Sequence, residues 1–229
     1  MARIIWLGQA GYLLSAGNTS MVIDPYFSEA GQDLARLYPP TFGKGALQAD
    51  FAVGAHGHGD RPDAETLGDY IGFGRFYGPK SCVAELEKAG FPAERLSLFE
   101  RGDRVVHGDL AFTGVFADYT EDSIGYVVEC GERRLYFSGD SLMNKRLHAI
   151  TWHHPDIMFV RVNGKSGGMS CSEAADFARV LRVKTAVPTY HGMAISSGDL
   201  ALFTAALEDS DIRALTLERG KEYELSDLL

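Results

Sequence analysis

Residues 55–61 read Ala-His-Gly-His-Gly-Asp-Arg, which places His56, His58 and Asp60 at alternate positions directly after an apolar run. Imidazole nitrogens and carboxylate oxygens are the usual ligands of zinc and similar divalent cations. The intervening glycines give the loop the freedom to turn these side chains towards one point. A bare His-x-His also arises by chance, but the added aspartate at a strand end predicts a metal site.

Two further ligand candidates follow apolar runs much later in the chain. Asp140 comes after Leu135–Gly139, and His191 comes after Ala186–Tyr190. A carboxylate at a strand end can bridge two cations, or bind one and orient a water. Taken singly, Gly-Asp is a common turn and a lone histidine is more often structural. Both therefore gain their weight from the cluster at residues 56–60.

The elements that must position these residues alternate between sheet and α/β regions. Apolar runs bounded by turn residues predict strands, and an apolar repeat near 3.6 residues predicts helices. Strands are predicted over Arg3–Trp6, Tyr12–Ser15, Ser20–Ile23, Asp50–Gly54, Phe73–Tyr77, Arg104–His107, Leu110–Phe116, Ser123–Glu129, Arg133–Ser138, Ile157–Val162 and Thr185–Pro188, with two more at the C-terminal end. Helices are predicted over Asp63–Tyr70, Ser81–Ala89, Ser172–Leu181 and Asp199–Leu207, with a helical hint over Asp33–Leu37.

This order of elements predicts an α/β (α+β) fold in which two mixed sheets, each covered by helices on one side, pack face to face. The expected architecture is a four-layer αββα sandwich. No internal repeat, low-complexity tract or Pro/Ser-rich linker divides the sequence. Residues 1–229 are therefore expected to form one domain.

Composition narrows the classes of partner. The chain has 31 acidic residues against 22 Lys plus Arg, a net charge of −9. That average field repels a phosphate backbone, although a local basic groove could coexist with it, so a small molecule rather than nucleic acid is the expected partner. The sequence contains no run of eighteen apolar residues, so no membrane-spanning helix is expected. The N-terminal residues do not resemble a signal peptide. The odd set Cys82, Cys130 and Cys171 predicts a reducing compartment, the cytoplasm by default.

The order His-x-His-x-Asp, strand-Gly-Asp and strand-Pro-x-x-His resembles the metallo-β-lactamase fold superfamily. Several segments are similar to sequences of its ascorbate-6-phosphate lactonase-like branch. They are Trp6–Gly11, Ile23–Tyr26, Tyr77–Lys80, Tyr136–Ser141 and Gly168–Ser170. The resemblance covers nearly the whole chain.

The resemblance implies a metal-dependent hydrolase that needs no organic cofactor. It implies that His56 and His58 bind a first divalent cation, that Asp60 and His191 serve a second, and that Asp140 bridges the two. Water activated by the metal would attack a small ester, lactone or phosphoester, and Asp60 would orient it and carry its proton as the catalytic residue. The resemblance also places Gln9 and Asp24 beside the pocket as supporting groups.

Two positions depart from the superfamily pattern. Arg61 stands where a further histidine is usual, and a guanidinium cannot ligate a cation. Near the end of the strand Leu110–Ala117, where many members supply a histidine, Asp118 is the best positional substitute. A carboxylate there makes the site harder and favours manganese or iron over zinc. One or two ions of Zn, Mn or Fe are therefore expected.

The residues that would contact substrate are less sharply indicated. Arg61, Asn163 and Lys165 are candidates, and the two cationic side chains favour an anionic substrate. Two alternatives stay open: a degenerate, non-catalytic metal-binding member, favoured by Arg61 and the absent histidine, and a phosphodiesterase or nuclease on the same scaffold. A homo-oligomer also stays open.

Overall fold

The computed structural model describes residues 2–28, 36–57, 62–163, 167–190 and 200–229. Its strands are β1 Ala2–Gly8, β2 Gly11–Ala16, β3 Thr19–Ile23, β4 Leu47–Val53, β5 Ile71–Gly78, β6 Leu96–Leu98, β7 Arg104–His107, β8 Leu110–Phe116, β9 Ile124–Cys130, β10 Arg133–Phe137, β11 Ile157–Arg161, β12 Thr185–Thr189, β13 Arg213–Ala214 and β14 Glu222–Glu224. Its α-helices are α1 Lys80–Lys88, α2 Cys171–Leu181 and α3 Leu200–Ala205. A π-helical turn covers Thr66–Tyr70, and 3₁₀ segments cover Ala93–Arg95, Lys145–His153 and Leu225–Leu228.

The strands form two seven-stranded sheets, in the orders β14-β1-β2-β3-β4-β5-β6 and β13-β12-β11-β10-β9-β8-β7. In the first sheet the pairs from β14 to β3 are antiparallel and those from β3 to β6 are parallel. The second sheet repeats this arrangement, antiparallel from β7 to β10 and parallel from β10 to β13. The parallel strands β4 and β10–β12 are those that carry the candidate site.

The described residues form four layers, and a large apolar cluster lies between each pair of adjacent layers. One cluster lies between the sheets, where Trp6 and Leu14 of the first sheet share a core with Phe112 and Phe159 of the second. The others pack α2 and α3 on the outer face of the second sheet and α1 on the outer face of the first. The predicted αββα sandwich is confirmed. The helices of the described residues include none that is long and apolar enough to cross a membrane.

Most predicted elements occur within a residue or two of their expected bounds. Strand β4 begins three residues earlier than predicted, the 3₁₀ segment Lys145–His153 was not predicted, and three further points differ. The helix predicted over Asp63–Tyr70 is wound largely as a π-helix, held at its start where Asp63 accepts hydrogen bonds from the amide and hydroxyl of Thr66. Strand β6 was not predicted, because three residues are too few for an alternating pattern to show. The hint over Asp33–Leu37 falls mainly on residues outside the described ones, and Arg36 and Leu37 are not helical.

Candidate metal centre

The candidate site lies where parallel strands of both sheets end at a common edge. His56 follows β4 of the first sheet, while Asp140 and Asn163 follow β10 and β11 of the second. Carboxyl ends of parallel strands at one edge are a common place for ligand sites, since the loops that leave them diverge and expose a crevice. The fold therefore brings together residues that are distant in the sequence.

His56 and Asp140 face each other at this edge. The Nε2 atom of His56 lies 3.7 Å from Oδ2 of Asp140, and the side chains are 1% and 4% exposed. That separation is too long for a hydrogen bond, whereas two ligands about 2.1 Å from one tetrahedral cation lie roughly 3.4 Å apart. The donor pair, an imidazole nitrogen and a carboxylate oxygen, therefore fits a shared divalent cation. The ring of Tyr119 packs edge-on against His56, with centroids 5.1 Å apart.

The backbone before His56 is held from both sheets. The Ala55 amide donates to Oδ1 of Asp24 at 2.8 Å, and the Ala55 carbonyl accepts from the Ile124 amide at 3.0 Å. Asp24 is itself anchored by its amide, which donates to the Val53 carbonyl at 3.0 Å, and its φ of 40° is left-handed. Such conformations in non-glycine residues persist where the surroundings impose them. Asp24 thus holds the strand end that leads into His56.

The loop after His56 rests on the start of α1. The Gly57 amide donates to Oγ of Ser81 at 2.9 Å, and Ser81 donates in turn to Oδ1 of Asp122 at 3.0 Å. A Cβ at position 57 would collide with the backbone of Ser81. Glycine is therefore needed here for close approach, and the Asp122–Ser81 chain holds the backbone of Gly57, the residue next to His56. Ser81 was not anticipated from the sequence.

Arg161 is the most consequential residue that the sequence analysis missed. Its guanidinium Nη1 forms an ion pair with Oδ2 of Asp140, and its Cζ lies 3.6 Å from the ring centroid of Tyr190. Arg161 is only 4% exposed. The available signal was a single charged residue at the end of the otherwise apolar strand Ile-Met-Phe-Val-Arg, because arginine is rarely buried unless it is paired.

Gln9 supports the same edge from the β1–β2 turn. Its carbonyl accepts from the Tyr190 amide at 3.0 Å, and its Nε2 donates to the Tyr190 hydroxyl at 3.1 Å. Its own amide donates to the Tyr38 hydroxyl at 2.7 Å. Burial raises the pKa of Tyr38, so this phenol stays neutral at physiological pH. Gln9 therefore connects the first sheet to Tyr190, whose ring contacts Arg161.

The remaining predicted residues divide into two groups. Asp118 is half-buried, and its Oδ2 accepts a hydrogen bond from Nδ2 of Asn144 at 2.9 Å. Within the described ranges no three His, Cys, Asp or Glu side chains are close enough to hold an ion, so Asp118 does not join His56 and Asp140 in such a group. Asn163 begins the loop closed by the hydrogen bond from its amide to the Met169 carbonyl, at 3.1 Å. The candidates outside the described residues are His58, Asp60, Arg61, Lys165 and His191.

Comparison with known proteins adds independent information. The β-lactamase superfamily domain family matches residues 3–190. A UPF0173 protein of Pyrococcus furiosus is 26% identical over 224 residues, covering 97% of this chain and 98% of the relative. A UPF0173 metal-dependent hydrolase of Thermus thermophilus is 28% identical over 202 residues, covering 83% of this chain and 84% of the relative.

Solved structures agree on the architecture. A metallo-β-lactamase fold protein of Bacillus subtilis superposes with a TM-score of 0.72 at 15% identity, over 98% of this chain and 100% of that one. At such identity the likeness concerns the fold alone.

Proposed function

This chain belongs to the β-lactamase superfamily, with the metallo-β-lactamase fold, and we propose that it is a metal-dependent hydrolase of a small ester, lactone or phosphoester. The observation that carries the proposal is the buried pair of His56 and Asp140, whose donor atoms face each other at 3.7 Å across the edge shared by the two sheets. The similarity to a metal-dependent hydrolase of Thermus thermophilus supports the same class of activity.

The ligand set proposed for the metal extends the described pair. His56 and His58 would hold the first cation, Asp140 would contribute a carboxylate oxygen, and Asp60 and His191 would serve any second ion. A divalent cation held there would supply Lewis-acid activation of the scissile bond and of a water molecule. Asp60 would orient the water and carry its proton to the leaving group.

The proposed metal is Zn, Mn or Fe. Among the described residues Asp118 does not group with His56 and Asp140, and its Oδ2 accepts a hydrogen bond from Asn144. The proposed ligand set therefore does not depend on Asp118, and only as an additional ligand would its carboxylate favour manganese or iron.

The proposed substrate is anionic. Asn163, Lys165 and Arg61 are the candidate contacts, and they belong to the loops that leave β11 and β4. If they contact the substrate, the two cationic residues would favour a phosphate or carboxylate group on it. If Lys165→Ala and Arg61→Ala processed phosphorylated and neutral lactones in the wild-type ratio, this assignment would be wrong.

A second candidate function is a non-catalytic binding member of the family. The observation that favours it is the ion pair of Arg161 with Asp140, since this carboxylate already has a cationic partner. Such a protein would bind a small molecule in the crevice with little or no metal.

The experiment that separates these candidates measures metal content and turnover together. Protein purified with zinc, manganese or iron present is dialysed, its metal is counted, and hydrolysis of lactones, carboxylic esters and phosphodiesters is assayed. We expect bound metal, lactone or ester hydrolysis, and loss of both in His56→Ala. His148→Ala, in the exposed 3₁₀ segment, is the matched histidine control and should retain both.

Substoichiometric metal with no turnover would favour the binding member. Cleavage of phosphodiesters but not of lactones or esters would instead favour a phosphodiesterase on the same scaffold.

We propose in addition that residues 1–229 act as one domain, because both sheets contribute to the central core and to the site. The acidic net charge of −9 supports a small-molecule partner over nucleic acid. The spacing of the three cysteines supports a cytoplasmic location.

A further inference from the structure

Arg161 places a permanent positive charge inside the candidate metal centre. The oxygen that pairs with its guanidinium, Oδ2 of Asp140, is the same oxygen that lies 3.7 Å from Nε2 of His56. The Arg161 and Asp140 side chains are 5% and 4% exposed, so the pair is shielded from water. A buried guanidinium is always protonated, and it is retained only where an anion and other contacts compensate for its lost hydration.

Close packing surrounds the Arg161 guanidinium. Its Cζ lies 3.6 Å from the centroid of the Tyr190 ring, which adds a cation–π contact. A Cβ at Gly167 would lie 3.1 Å from Nη1 of Arg161 and 3.2 Å from Cβ of Asp140. Gly167 has a φ of +77°, which also favours glycine. The guanidinium is thus packed against both an aromatic ring and the backbone at Gly167.

The family resemblance implies that Asp140 bridges two metal ions. A carboxylate oxygen can serve two cations at once, and here Oδ2, the oxygen that faces His56, already carries the guanidinium on another side. We infer that Arg161 takes the place of the second metal ion, so that Asp140 bridges a guanidinium and a single divalent cation. This inference rests on the proposed function, because it assumes that the first cation binds.

The charge of Arg161 also disfavours a second metal ion. A second divalent cation beside Asp140 would lie within a few ångströms of a guanidinium that cannot lose its proton, and repulsion between like charges is strong in a site with little water. One divalent cation together with Arg161 leaves a smaller excess of positive charge. The built-in cation also keeps Asp140 paired when no metal is bound.

The test counts metal ions in variants of Arg161. Metal-free protein is titrated with Mn²⁺, bound metal is counted by elemental analysis, and electron paramagnetic resonance distinguishes an isolated ion from a coupled pair. We expect one ion per wild-type chain with the spectrum of an isolated ion. In Arg161→Met we expect two ions, the second bound more weakly, and a coupled spectrum.

Three further variants keep the test decisive. Arg161→Lys retains the positive charge and should bind one ion. Arg161→Gln removes the charge and should bind two ions, and it replaces Arg161→Met in the test if Arg161→Met does not fold. Arg104→Met is the matched control, because Arg104 pairs with Glu129 at 3.2 Å on the exposed surface. It should bind one ion.

Two ions in the wild-type chain would overturn this inference and leave the proposed function standing. One ion in correctly folded Arg161→Met and Arg161→Gln would overturn the role assigned to Arg161. No bound ion in any variant would instead overturn the proposed function, and this inference with it.

Discussion

The amide of Gly57 donates a hydrogen bond to the hydroxyl of Ser81 at 2.9 Å, and this contact joins the candidate ligand loop to the first turn of α1. Asp122 of the second sheet's β8–β9 connection accepts from both the amide and the hydroxyl of Ser81. The backbone at Gly57, directly after His56, is therefore positioned by a hydrogen-bond chain that starts on the opposite sheet.

Replacing Ser81 should weaken metal binding. Ser81→Ala removes the acceptor for the Gly57 amide, and loss of a group that orients metal ligands typically lowers affinity about 10- to 100-fold. Affinity is measured by competition with a chelating dye. Ser97→Ala is the control, because Ser97 accepts a hydrogen bond from Arg75 on the exposed surface. Equal affinities in the two variants would show that Ser81 does not position the loop.

Adding a single methyl group at Gly57 should disrupt the site. Gly57→Ala would push the loop away from Ser81, since the new Cβ would collide with backbone atoms that cannot rotate aside. We expect a loss of about 1–3 kcal/mol in the free energy of unfolding, typical of overpacking, together with weaker metal binding. Denaturant titration measures the first. Gly43→Ala, where a Cβ would meet no atom within 4 Å, should change neither.

Asp24 should tolerate an amide but not a methyl group. Asp24→Ala leaves the buried Ala55 amide without its acceptor and places alanine at a φ of 40°, which predicts a loss of about 1–3 kcal/mol in the free energy of unfolding. Asp24→Asn keeps an acceptor oxygen, and asparagine adopts left-handed φ readily. Urea denaturation of both proteins compares them. If both variants lost the same free energy of unfolding, the negative charge of Asp24, rather than its acceptor oxygen, would be the source of its stabilising effect.

Asp156 should make the stability depend on pH. Burial raises the pKa of this carboxyl, but the hydrogen bonds from Lys184 at 2.7 Å and from the Arg134 amide at 3.0 Å outweigh it, so the net pKa is lowered. A lowered pKa means that its stabilising contribution is complete above the ordinary value of 3.8 and is lost as pH falls through the folded-state pKa.

Asp156→Asn is therefore expected to lower the free energy of unfolding by about 1 kcal/mol at neutral pH. The difference from the wild type should shrink towards zero in acid below pH 3.8. Denaturant titrations from pH 3 to 7 measure the difference. Asp176→Asn, which removes an exposed pair with Arg179, is the control. A difference that stayed constant across this range would exclude the ionised Asp156 as its source.

Strong local patterns in the sequence allowed much of this fold to be predicted. Strands β7 and β8 were predicted with the bounds observed, because turn residues flank clear apolar runs. Their positions at strand ends made His56 and Asp140 ligand candidates, and the family resemblance implied that they share a site. The structure places Nε2 of His56 3.7 Å from Oδ2 of Asp140. The π-helical winding at Thr66–Tyr70 was not predictable, since it depends on hydrogen bonds around Asp63 and on β5 beginning at the next residue.

Arg161 shows why the candidate site was harder to predict than the fold. In the sequence it closes an apolar strand and belongs to no motif. Its significance comes only from contacts with Asp140 and Tyr190, which lie on other strand ends and approach through parallel pairing of β10, β11 and β12. Residues that act through tertiary contact leave little trace in a local pattern.

The position of the two candidate ligands on different sheets has a consequence for how the sheets are held together. His56 belongs to the first sheet and Asp140 to the second, so a cation ligated by both would act as a clamp across the seam between the two halves. Its binding energy would then add to the cohesion of the central core. Chelation should consequently loosen the seam before it melts either sheet, and hydrogen exchange at the Ile124 amide, which bonds to Ala55 across that seam, would report the opening.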